Sequence, residues 1–106
     1  MKAIRVRITS FISDHQPGFV ECKFHDAWGK EHTVQDKVPI VSEDFLDAES
    51  EYPQDGVIAC EIIKEWIDVD NRAIFTLTTE KPWAVDTNEG RTEFDVLEGQ
   101  LIELNQ

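Results

Sequence analysis

Val57-Ile58-Ala59-Cys60-Glu61-Ile62-Ile63-Lys64-Glu65-Trp66-Ile67-Asp68, followed after Val69-Asp70-Asn71 by Arg72-Ala73-Ile74-Phe75-Thr76-Leu77-Thr78-Thr79, is the stretch that decides the fold. Ile58, Cys60 and Ile62 alternate with Ala59 and Glu61, the period of two that sends successive side chains to opposite faces of a strand. Ile62-Ile63 and Trp66-Ile67 interrupt the alternation, which a bulge or a strand buried on both faces would explain. Asp70-Asn71 is a tight-turn pair. The return run is β-branched and aromatic, with Ala73, Phe75 and Leu77 on one face, so the two runs read as a hairpin.

The same pattern recurs on either side. Ile4, Val6 and Ile8 alternate with Arg5, Arg7 and Thr9, and after the turn Gln16-Pro17-Gly18 the alternation resumes over 19–25 with Val20, Cys22 and Phe24 sharing a face. Asp26-Ala27-Trp28-Gly29-Lys30 is a hairpin loop with residues 30–35 as its returning strand, and 37–41 reads as a short extended piece that Pro39 confines to an edge or a strand start. Towards the C-terminus, residues 92–97 and 100–104 read as two more strands. The exception is 42–56, where Ser42 is placed to cap a short helix, or a turn, near 43–49 before Pro53 and Asp55-Gly56 close it. Evenly spaced short strands predict an all-β domain over 1–106: a small closed or partly open β-barrel of six or seven mostly antiparallel strands, with a two-sheet sandwich as the alternative.

The chain has 106 residues, 41% of them apolar, enough to bury a core despite a net charge of −12. Residues 1–42 hold six basic and five acidic side chains, whereas 43–106 hold four and seventeen. A field of that sign repels phosphate backbones and anionic lipid while attracting basic surfaces, so the expectation is no nucleic-acid or membrane partner. With no apolar run of spanning length, no hydrophobic leader run at the start and only Cys22 and Cys60, the expected setting is cytoplasmic, with both thiols reduced.

Catalytic and metal motifs are not found. Cys22-x-x-His25 with His32 has zinc-type ligands, but on a strand Cys22 points inward and His25 outward, so they cannot converge on one ion. His15, His25 and His32 all lie in or beside polar loops and are read as exposed turn residues. No serine occupies a nucleophile elbow, and the five glycines are isolated in separate turns. The expectation is therefore a protein that is not an enzyme and uses no metal or cofactor.

Two binding features remain. Glu43, Asp44, Asp47, Glu49, Glu51 and Asp55 run without a basic residue and are interleaved with Phe45, Leu46 and Tyr52. Charges of one sign that steer approach, with Phe45 or Tyr52 supplying buried contacts, would suit a basic protein partner; a solvated loop is the plainer reading. Trp28 at a hairpin tip and Trp83 after Pro82 would serve as exposed anchors for a small ligand or carbohydrate, or would fold over the barrel ends and plug the core. Trp66, on the long strand, is assigned to core or barrel wall.

In size, acidity and the lack of catalytic motifs, with stretches such as Asp36-Lys37-Val38-Pro39-Ile40-Val41, Tyr52-Pro53-Gln54-Asp55-Gly56 and Lys81-Pro82-Trp83-Ala84-Val85, the chain resembles small bacterial proteins that include immunity proteins for polymorphic toxins. The inferred barrel is similar to the second domain of translation elongation factors. The first resemblance implies a non-enzymatic interaction protein that blocks a basic partner by steric and electrostatic occlusion.

Overall fold

A computed structural model describes residues 1–104. Seven antiparallel strands form one sheet: β1 (Lys2–Ser13), β2 (Phe19–His25), β3 (Glu31–Lys37), β4 (Gln54–Ile67), β5 (Ala73–Thr78), β6 (Glu93–Leu97) and β7 (Leu101–Glu103). The path β3-β2-β1-β4-β5-β6 curls into a half-barrel, and a single 3-10 turn, Glu98–Gln100, carries the chain from β6 to β7, which pairs back onto β1.

The alternation read in the sequence becomes the inner wall. Ile4, Val6 and Ile8 of β1, Val20, Cys22 and Phe24 of β2, Ile58 and Cys60 of β4, Leu77 of β5 and Phe94 and Val96 of β6 form one buried cluster. The break at Ile62-Ile63 is a bulge: the β4–β5 register slips between Ile62 and Lys64, leaving Ile63 half exposed. The doubly buried alternative therefore falls away. A second irregularity, between Ile8 and Ser10, resets the phase of β1, so Phe11 packs against the core although it is three residues beyond Ile8.

The one α-helical turn differs from the reading. Residues 38–41, taken as extended, form the helix α1 (Val38–Val41) with Pro39 in its first turn, where the missing N–H has no bond to lose. Residues 43–49 take the turn of the two forms read there, as bends and a turn. Ser42 still makes the hydroxyl-to-amide bond expected of a cap, accepting the Asp44 N–H at 3.0 Å, but no helix follows it and the bond closes a local turn. The end of α1 lies so close over β4 that a side chain on Gly56 would come within 2.9 Å of the Val41 carbonyl oxygen and 2.8 Å of Ile8.

Candidate functional site

The loop between α1 and β4 carries most of the acidic segment. Leu46 turns inward and is buried in the core cluster, a contribution of about 2 kcal/mol that fixes the middle of the loop. Its neighbour Phe45 is thereby turned out and is 89% exposed. The rest is held by short polar bonds: Asp47 Oδ1 accepts the Glu49 N–H at 2.9 Å, Ser50 Oγ accepts the Asp47 N–H at 3.0 Å, and the Tyr52 hydroxyl donates to the Asp47 carbonyl at 2.8 Å. Tyr52 is half-buried against the core, so its ring supports the loop, whereas Glu43, Asp44, Asp47, Glu49, Glu51 and Asp55 are all exposed.

Against this loop lies a groove of about 530 Å³. Glu43, Asp44 and Asp55 meet Trp83 there, with Ile40 and Val57 among the apolar walls and Glu103 also in the lining. Trp83 arrives from the β5–β6 connection, whose Val85 is buried and whose Thr79 hydroxyl donates to the Val85 carbonyl at 2.6 Å. Val85 thus plugs the core, and the indole of Trp83 stays half exposed. Glu103 is neutralised by the Met1 amino group at 2.9 Å and Lys2 at 3.1 Å, hydrogen bonds that hold its carboxyl below the usual range. Glu43 and Asp44 have no ion-pair partner among the described residues.

Trp28 belongs elsewhere and does not line this groove. It is half exposed, but its ring lies 6.2 Å from that of Trp66, the Arg72 guanidinium stands 5.5 Å over it, and its Nε1–H donates to Asp95 at 3.3 Å. Trp66 donates its own Nε1–H to Thr76 at 3.0 Å, and the Thr76 hydroxyl donates to Asp95 at 2.6 Å, which makes the pair a braced part of the barrel wall. The two loop tryptophans therefore neither plug the core nor form one binding platform.

His32 corrects the reading of the histidines as exposed. Its side chain and that of Asp26 are both almost fully buried, with Nε2 and Oδ2 2.8 Å apart. Burial acts to raise the Asp26 carboxyl, but hydrogen bonds from His32 and from the Lys30 and Trp28 amides outweigh it and hold the group below its ordinary value. A base and its orienting acid often pair this way, yet Phe24 and Phe94 pack on the imidazole at 5.2 and 4.9 Å, so the pair locks the β2–β3 hairpin to the core. The signal was available: Phe24 faces His32 across the ladder, and Val34 two residues on is inward, so alternation turns His32 inward as well. Cys22 is inside and His25 outside, and among the described residues no group of three or more His, Cys, Asp or Glu is arranged to hold a metal ion.

No family model, curated protein or solved structure matches this chain. What the grooves can do follows from their side chains. Burial drives the Cys22 thiol up to about 12 and the Cys60 thiol to about 11, so neither supplies a thiolate nucleophile at neutral pH. Unpaired carboxylates beside an exposed indole, with a phenyl ring next in the chain, present acceptors and apolar contacts to a cationic surface. No helix among the described residues is long and apolar enough to cross a membrane.

Proposed function

We propose that this is a non-enzymatic binding module whose acidic groove and loop engage a basic protein partner, in the manner of an immunity-type inhibitor that occludes its target. The observation that carries the reading is the meeting of Glu43, Asp44 and Asp55 with Trp83 in one groove, beside a Phe45 that is 89% exposed. Glu43 and Asp44, which have no ion-pair partner among the described residues, steer a basic surface inward and speed its approach. An aromatic held in solvent beside them is the type of residue that becomes an energetic anchor when covered. The two buried, unbridged thiols fit a reducing cytoplasmic setting.

The small-ligand reading narrows to Trp83 alone, because Trp28 is already engaged by Arg72, Trp66 and Asp95. A sugar or similar ligand in the groove would quench Trp83 fluorescence without dependence on salt.

The test is affinity capture from native extract with the wild-type chain and with Phe45→Ala, at low and high salt. A basic protein retained at low salt, released by high salt and weakened about tenfold or more by the substitution is the expected result. Retention of the same species by both chains at all salt concentrations would reject the reading.

A further inference from the structure

The sheet has a second groove, on the face turned away from the core, and its charge is of the other sign. The register builds it: Arg7 is directly opposite Lys23 on β2 and Asp55 on β4, while His25 is opposite Glu31 on β3. Arg5, two residues before Arg7 on the same face, completes the set, and the space they line measures about 550 Å³, within the range of small-ligand sites. A chain with only ten basic residues among 106 has placed three of them here. Two are directly opposite across a ladder, where like charges destabilise a sheet.

Existing carboxylates answer that charge only in part. Asp55 reaches Arg7 through a single nitrogen at 2.8 Å, and Glu31 lies 3.7 Å from both Lys23 and His25. These contacts are solvent-exposed and weak, so an incoming anion displaces them at little cost. Arg5 has no ion-pair partner among the described residues, which leaves its guanidinium fork open to the paired oxygens of a carboxylate or phosphate. We infer that this groove is a binding site for a small organic anion, held between Arg5, Arg7 and Lys23. The ligand is small because a long polyanion meets the net charge of −12, whereas an ion inside the groove meets the local cations within a screening length of about 8 Å.

The experiment is a titration of isotope-labelled protein at low salt with citrate and, separately, with inorganic phosphate, followed by amide chemical shifts. Saturable shifts centred on Arg5, Arg7 and Lys23 are expected, with affinity falling about tenfold in Arg5→Ala and less in Arg5→Lys. Phe45→Ala, on the acidic groove's loop, should leave the affinity unchanged. Saturation by citrate alone marks a carboxylate ligand, and by phosphate alone a phosphate ester. No saturable shift with either probe, or equal affinities in wild type and Arg5→Ala, would overturn the inference.

Discussion

The two grooves share one residue, Asp55, and differ in what they are made of. The basic groove is laid on four paired strands, β1 to β4, whose register fixes every charged group, and its β2–β3 hairpin is locked by the buried Asp26–His32 pair. The acidic groove takes β4 and the end of β7 from the sheet, and the rest comes from α1, the loop after it and the connection that carries Trp83. Of its carboxylates, Asp55 is on β4, whereas Glu43 and Asp44 are held by the local turn that Ser42 closes and by the inward Leu46 beside it. A strand-built site is rigid and suits a small ligand of fixed shape. A loop-built one has room to adjust to a larger surface.

The largest expected effect strikes the rigid side. Asp26→Ala leaves the buried imidazole and the Trp28 and Lys30 amides without their acceptor, and should cost about 2–4 kcal/mol of stability in a denaturant titration. The same carboxyl makes the fold acid-sensitive. Its folded pKa lies below the ordinary 3.8, so its stabilisation is complete above that value and is lost as pH falls through the folded pKa. Wild type should therefore lose stability below about pH 4 more steeply than Asp26→Ala; parallel profiles would remove the lock from the comparison.

A smaller effect tests the shared wall. Asp55→Asn removes the charge that answers Arg7 and at the same time one of the acids of the other groove. Anion affinity should rise by about twofold while partner affinity falls by about as much, with little change in stability because the pair is exposed. Shifts of the same sign in both would show that the grooves are not divided at this residue.

That difference in construction also explains what could be read in advance. The strand-built parts were legible because alternation states which side each residue faces: Val20, Cys22 and Phe24 lie inward, and the disturbance at Ile62-Ile63 is a bulge. His32 obeyed the same rule and was missed because its polarity suggested a turn. Residues 38–41 read as extended because Pro39 fits both an extended start and a first helical turn, and helix or turn stayed open near 43–49 because Ser42 makes the same hydroxyl-to-amide bond in a turn as in a cap. Trp83 and the acids 43–55 were each recognised as candidates, but only the return of a distant connection across β4 brings the indole to Glu43, Asp44 and Asp55. Loop residues have no period from which such a meeting could be inferred.

The central claim is that the acidic groove draws in a basic surface by charge and holds it with exposed aromatics. It is tested most directly by stopped-flow association of the captured partner with wild type and with a Glu43→Gln, Asp44→Asn double variant, between about 0.02 and 0.5 M salt. The account predicts an association rate that falls about tenfold or more with salt in wild type and has a shallower dependence in the variant. Identical, salt-independent rates in both would contradict it.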